Sequence, residues 1–173
     1  MKLDSKECVV LGTSGGAAVA LLMAIHLGSK VRAVIADSCG RSIPLEIARR
    51  YVSEERQRRN PEQIQFWTLA HGRDWEQVVE ADTNMLMRFA ESGGDWFEDR
   101  LGDIRCPVLL TAGQNDGTLP RAATQLGALY ERIPTARLYL HDAGEHPLMW
   151  SCPEDFRCIS DCFLQAVERR SQR

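Results

Sequence analysis

Three residues of this 173-residue sequence have the types and the surroundings to do chemistry together: Ser14, Asp116 and His146. Ser14 lies in Gly12-Thr13-Ser14-Gly15-Gly16, after the apolar run Cys8-Val9-Val10-Leu11 and before a small, apolar segment at helical spacing, residues 17–27. The run is too short for a helix, so the pattern reads as strand, sharp turn and helix. A serine at the apex of such a turn takes a sparsely populated backbone conformation and lifts its hydroxyl clear of the strand. Gly12 and Gly16 are expected to leave room where strand and helix cross, with Ala17 and Ala18 extending the same small surface. A serine hydroxyl is a poor nucleophile until an imidazole accepts its proton. The imidazole in turn needs a carboxylate to fix its tautomer and stabilise its charged form. His146 and Asp116 are the residue types that supply these.

The elements that must position them follow from the hydrophobic pattern. Residues 31–37, 108–112 and 136–140 are short runs that read as strands, and the β-branched content of 31–37 suits a buried parallel sheet. Residues 121–133 and 153–169 repeat their apolar positions at helical spacing. Strands alternating with helices imply a parallel sheet with right-handed crossovers, and chemistry gathers beyond the carboxyl ends of such strands. Ser14, Asp116 and His146 each follow a strand directly. Asp37 also closes a strand; it is expected to cap a turn, and it is the reserve candidate for an active-site acid. His26 reads as a helix-end or packing residue rather than a catalytic one.

Residues 41–103 change character. Helical patterns cover 44–57, 60–71 and 74–92, the second opening on Asn60-Pro61-Glu62 as cap, first-turn proline and acid. Trp67, Trp75, Met85, Met87, Phe89, Trp96 and Phe97 concentrate bulky apolar area here. An insertion of this length exceeds what a simple crossover needs and could roof a site at the strand ends.

The bulk numbers exclude several classes. A hydrophobic content of 44% with 26% charged residues is that of a globular chain of one domain. A net charge of -3 gives no general attraction to nucleic acid or anionic membranes. Arg49, Arg50, Arg56, Arg58 and Arg59 are interleaved with Glu46, Glu54 and Glu55, which marks a solvated helix face rather than a nucleic-acid site. No residue from Cys8 to Leu27 carries a formal charge, a length a membrane helix or signal-peptide core would also have. The glycine pair in its middle lowers helix propensity, and Lys2, Asp4, Lys6 and Glu7 sum to zero rather than to a basic leader. The chain is therefore expected in the cytoplasm with no membrane partner. Its six cysteines are expected as reduced thiols, and Cys152, Cys158 and Cys162 lack zinc-site spacing, so neither metal nor cofactor is expected.

With the order Ser, Asp, His and a strand before each, residues 8 to about 166 resemble the catalytic, C-terminal half of an α/β-hydrolase. Gly12-Thr13-Ser14-Gly15-Gly16 looks like that family's nucleophile elbow, Gly113-Gln114-Asn115-Asp116 like its acid turn, and Gly144-Glu145-His146-Pro147 like its histidine loop. The resemblance implies Ser14 as nucleophile, His146 as general base and then acid, Asp116 as orienting carboxylate, and Gly15 N–H as an oxyanion-hole donor. It implies a partial α/β-hydrolase fold: about four parallel strands flanked by helices, in one domain over 1–173, with 41–103 as the helical cap. The substrate it implies is a small molecule carrying a carboxylic ester or related acyl group, cleaved through an acyl-serine.

The sequence departs from the family before the elbow, where members carry further strands and a loop that gives the second oxyanion donor. The elbow strand is thus expected at an open edge, with the closing helix covering one sheet face almost alone. An open, uncharged edge strand invites pairing with a second copy. The alternative reading is a catalytically silent relic that binds a partner or itself.

Overall fold

The uncharged stretch from Cys8 to Leu27 splits in two. In the computed structural model, which describes residues 7–171, it forms strand β1 (Cys8–Thr13) and helix α1 (Gly15–Leu27), with Ser14 alone between them. Of the charged residues before it, Lys2, Asp4 and Lys6 lie outside the described residues. Among the described residues no helix is long and apolar enough to cross a membrane. Helix α1 starts at the residue after Ser14, two residues earlier than the small-residue pattern indicates. Gly28, at φ 53°, ends it.

Strands β2 (Val31–Asp37), β3 (Val108–Gly113) and β4 (Ala136–His141) complete a four-stranded sheet in the order β1-β2-β3-β4, with every neighbouring pair parallel. The parallel sheet expected from the pattern, with the four strands that the resemblance implies, is the sheet observed. Side chains alternate between the two faces with the period of two that a strand imposes. Val34, Ala36, Val108, Leu110 and Ala112 point to one face and pack against α1 and against α6 (Ala122–Arg132), with Leu21, Leu126 and Leu129 fully buried there. Ala33, Ile35 and Leu109 point to the other face. Phe156, Phe163 and Val167 of α8 (Pro153–Ser171) cover them together with Leu148 of the short helix α7 (Leu148–Ser151), which the sequence pattern does not reveal. Val9 and Leu11 occupy β1, an edge of this sheet, and remain 42% and 47% exposed.

The chain divides into two compact units: the sheet unit, built from the segments up to Arg41 and from Trp96 onward, and a helical unit, Ser42–Asp95. The helical unit is narrower than the expected 41–103 insertion. Phe97 and Leu101 belong to the core on the α1 side of the sheet, with Trp96 packed against it, so Trp96 and Phe97 are not part of the helical unit's apolar stripe. Within the helical unit, α2 (Leu45–Ile47), a π-helical segment (Ala48–Glu54) and α3 (Glu55–Gln57) run on as one rod. Helices α4 (Pro61–His71) and α5 (Trp75–Glu91) follow. Asn60 and Gln63 form a reciprocal capping box, with Gln63 N–H on Asn60 Oδ1 at 2.8 Å and Asn60 N–H on Gln63 Oε1 at 3.1 Å. Trp67 stacks on Trp75, and Arg56 donates to Asp82 at 2.7 Å and to Thr83 at 2.9 Å.

Two details of the sheet unit differ from the expectation or add to it. A Cβ on Gly12 would lie 2.1 Å from the Gly16 carbonyl oxygen, whereas a Cβ on Gly16 would meet nothing within 4 Å. The crossing therefore needs a glycine only on the strand; Gly16 contributes its backbone, not its missing side chain. The parallel register also sets Thr13, Asp37 and Thr111 side by side across β1, β2 and β3. The Asp37 carboxylate in this row is fully buried, and burial raises its pKa above the ordinary carboxyl value despite hydrogen bonds from Thr111, Met149 and Thr13 and the nearby His146, all of which lower it.

Gly12→Ala is expected to cost about 1–3 kcal/mol of stability by forcing strand and helix apart, while Gly16→Ala holds or gains up to about 1 kcal/mol through helix propensity; thermal unfolding of the two variants side by side checks this. Because Asp37 binds its proton more readily folded than unfolded, its contribution favours the fold at low pH and is lost as pH rises through the folded pKa. The Asp37→Asn variant, which cannot ionise there, should therefore gain in melting temperature relative to the parent as pH rises above the ordinary carboxyl value, about 4, and through the folded one. A difference that stays constant over that range would refute it.

Candidate active site

Ser14 sits at φ 54° and ψ -125°, a conformation a non-glycine residue holds at a cost of about 1–3 kcal/mol. Its backbone is tied at both ends. The Ser14 N–H donates to the Asp37 carbonyl at 2.8 Å, and the Ser14 carbonyl accepts from Ala17 at 3.0 Å and Ala18 at 3.4 Å, the first bonds of α1. The Gly15 N–H belongs to the first helical turn, where no intrahelical acceptor exists. It stands directly after the serine.

Asp116 follows β3 in a turn and is buried. Its Oδ1 accepts the backbone N–H groups of Thr118 at 3.0 Å and Leu119 at 2.7 Å, which leaves Oδ2 to face His146 Nδ1 at 2.7 Å. His146 Nε2 lies 3.0 Å from Ser14 Oγ. An ionised carboxylate only accepts, so the Asp116 contact assigns the ring proton to Nδ1 and leaves Nε2 as acceptor for the serine hydroxyl. All three residues, each expected at a strand end, meet in one hydrogen-bonded line within the sheet unit.

The acid turn and the histidine loop meet backbone to backbone. Gln114 N–H donates to the His141 carbonyl at 2.8 Å and Asn115 N–H to the Gly144 carbonyl at 3.0 Å. A Cβ on Gly113 would fall 1.9 Å from the Gly144 oxygen. Any side chain at 113 would thus push apart the two loops that bring Asp116 to His146. The signal for this was present, since a glycine opens each of the two segments, but nothing in either segment names its partner.

Asp37 is not the acid that meets the imidazole: Asp116 occupies His146 Nδ1, and the reserve role does not fall to Asp37. Its Oδ2 instead accepts from Thr13 Oγ1 at 3.1 Å and Met149 N–H at 3.1 Å, and its Oδ1 from Thr111 Oγ1 at 2.7 Å and Ser38 Oγ at 3.4 Å. Thr13, Thr111 and the Leu148–Met149 turn are the neighbours that sequence reasoning missed. Polar residues at the ends of otherwise apolar strands were the available sign.

The six cysteines are unpaired thiols. Burial pushes Cys39 up to about 12, so it stays protonated near neutrality. Among the described residues no group of three or more His, Cys, Asp or Glu side chains could hold a metal ion.

No curated protein matches the sequence. Solved structures share the fold at low identity. An esterase of Pyrococcus furiosus is similar over 94% of this chain and 54% of its own, with 22% identity and a TM-score of 0.59. A proline iminopeptidase of Mycobacterium smegmatis is similar over 96% and 67%, with 19% identity and a TM-score of 0.60. For a meta-cleavage product hydrolase of Pseudomonas fluorescens the shares are 95% and 66%, the identity 12% and the TM-score 0.72. The chain thus spans about half to two thirds of the length of these proteins. The model of the Alpha/beta hydrolase family matches residues 2–157, nearly the whole sequence and all three strand-end residues of the site. With that match and a parallel sheet that presents serine, acid and histidine in the same chain order, the protein belongs to the α/β-hydrolase family.

Proposed function

We propose that this chain carries the catalytic residues of a serine hydrolase that cleaves a carboxylic ester, or a related acyl compound, through an acyl-serine intermediate. The observation that carries this reading is the unbroken line from Ser14 Oγ through the His146 ring to Asp116 Oδ2, at 3.0 and 2.7 Å. In the reaction, His146 Nε2 takes the hydroxyl proton as Ser14 Oγ attacks the carbonyl carbon, and Asp116 stabilises the imidazolium that results. The tetrahedral intermediate collapses as His146 returns the proton to the leaving alkoxide oxygen, which departs as the alcohol. Water then repeats the sequence on the acyl-serine: His146 takes its proton, the acid is released and Ser14 Oγ is reprotonated.

Gly15 N–H, in the first turn of α1, is the donor this reading assigns to the developing oxyanion, with the positive amino end of the helix behind it. A single such donor is worth about 10² to 10³ in turnover. The names of the structural neighbours, an esterase and an iminopeptidase among them, support hydrolysis at a carbonyl. Six unpaired thiols support a reducing compartment, the cytoplasm.

A second reading concerns the open edge. Strand β1 presents Val9 and Leu11 with no charged residue between Cys8 and Thr13 to oppose a like strand. It favours pairing with a second copy of this chain.

The first reading is tested with a fluorophosphonate probe and intact-mass detection. One adduct is expected on the parent and none on Ser14→Ala, with hydrolysis of a p-nitrophenyl ester lost in parallel and reduced at least about 10³-fold in His146→Ala. Ester turnover that survives Ser14→Ala would refute it. The second is tested by light scattering: a mass above that of one chain is expected, returning to one chain in Leu11→Lys, and a parent that is monomeric throughout disposes of it.

A further inference from the structure

The acyl-serine reaction leaves one buried ionisable group of the sheet unit unused. Asp37 is fully buried and lies beside the elbow, yet it has no free lone-pair direction toward His146: both carboxylate oxygens are occupied by donors. Those donors come from the parts of the site that must be kept in register. Thr13, whose hydroxyl donates to Oδ2, is the residue before Ser14. Met149, whose N–H donates to the same oxygen, is three residues after His146. Leu148 N–H donates to Ser38 Oγ at 3.2 Å, and Ser38 Oγ donates to Asp37 Oδ1. The Asp37 carbonyl accepts from Ser14 N–H itself.

The anchor is stiff on the far side as well. Thr111 of β3 stands in register with Asp37 and donates to Oδ1 at 2.7 Å, while the Ser38 N–H donates to the Thr111 carbonyl at 2.7 Å. One carboxylate oxygen therefore touches both the residue before the nucleophile and the segment just after the histidine. We propose that Asp37 is a positioning residue that sets the Ser14–His146 separation by tying the elbow and the outgoing end of the histidine loop to a common point on β2. It touches neither substrate nor imidazole. The proposal rests on the acyl-serine reading for its kinetic consequence, but the tie itself is a property of the fold.

The reason to expect a kinetic effect is geometric. Proton transfer from Ser14 to His146 works at the observed 3.0 Å, and displacement of reacting groups by about 1 Å can cost on the order of 10²-fold. Without the carboxylate, Met149 N–H would lose its acceptor in a half-buried site, and the turn it belongs to would shift to find another. Asparagine keeps much of the tie. Its carbonyl oxygen can accept from Thr13 and Met149 while its amide faces the Thr111 and Ser38 hydroxyls, which can turn to accept.

The test compares the parent with Asp37→Ala, Asp37→Asn and Thr13→Val in saturation kinetics of fluorophosphonate labelling at Ser14, alongside the far-downfield His146 Nδ1–H proton resonance. Asp37→Ala is expected to slow the covalent step about 10- to 100-fold with probe binding unchanged, and to broaden or shift the His146 resonance. Asp37→Asn should recover most of the rate and the resonance. Thr13→Val, which frees only the elbow, should slow labelling about 3- to 10-fold and leave the resonance in place. A folded Asp37→Ala protein that labels at the parent rate and keeps the resonance overturns the proposal. Where Asp37→Ala does not fold, Thr13→Val decides, and labelling at the parent rate overturns it. A parent that takes no label refutes the acyl-serine reading instead; the His146 resonance then judges the tie, which fails if the resonance is the same with and without the carboxylate.

Discussion

Ser14 is held at a strained φ of 54° by its N–H, which donates to the Asp37 carbonyl 2.8 Å away on the neighbouring strand. That single backbone bond depends on β1 and β2 being parallel and in the register that sets Thr13 beside Asp37. A slip of one residue would turn every side chain of β1 to the opposite face and leave the elbow without its acceptor. The strain at the serine, about 1–3 kcal/mol, is offset by the packing that holds the register. Functional geometry here is a consequence of sheet geometry.

The two faces of the sheet hold that register by different means. On the α1 side, small residues let helix and strand approach: Ala17, Ala18, Ala20 and Ala24 are buried against the sheet, and Gly12 passes the Gly16 carbonyl where no Cβ would fit. On the other side, bulky residues of α8 reach down to Ala33, Ile35 and Leu109. Close packing behind the elbow fixes the direction in which α1 leaves Ser14, and hence where Gly15 N–H points. The thicker layer supports β2 and β3, from whose ends Asp37 and the turn to Asp116 emerge.

Much of this was legible in the sequence, and for a physical reason. Buried parallel strands are short apolar runs, and 31–37 matched β2 residue for residue; Asn60-Pro61 marked a helix start because cap chemistry is local. Ser14, Asp116 and His146 could be picked out because each residue type does something the other two require. The features that were not legible depend on contacts between segments far apart in the chain. Spacing gives Gly16 the same role as Gly12, since it does not tell which glycine lacks room and which merely supplies the carbonyl. Position in the sequence puts Trp96 and Phe97 with the helical insertion, because bulk does not say which core it fills. The π-helical turn over Ala48–Glu54 has no sequence signature in its apolar pattern.

The two strand-end acids show the same limit at the level of single lone pairs. Asp37 and Asp116 both follow apolar strands and both end buried near His146, and by position either could serve the imidazole. Their donors separate them. Backbone amides take one oxygen of Asp116 and leave the other open toward the ring. Both oxygens of Asp37 are taken, by residues contributed from β1, β3, α7 and Ser38, the residue after β2. A carboxylate with one unclaimed oxygen can orient and stabilise an imidazolium. One with none left can only hold other groups in place. Which acid does which is therefore decided by where the remaining acceptor capacity points, and that is set only after the four segments have come together.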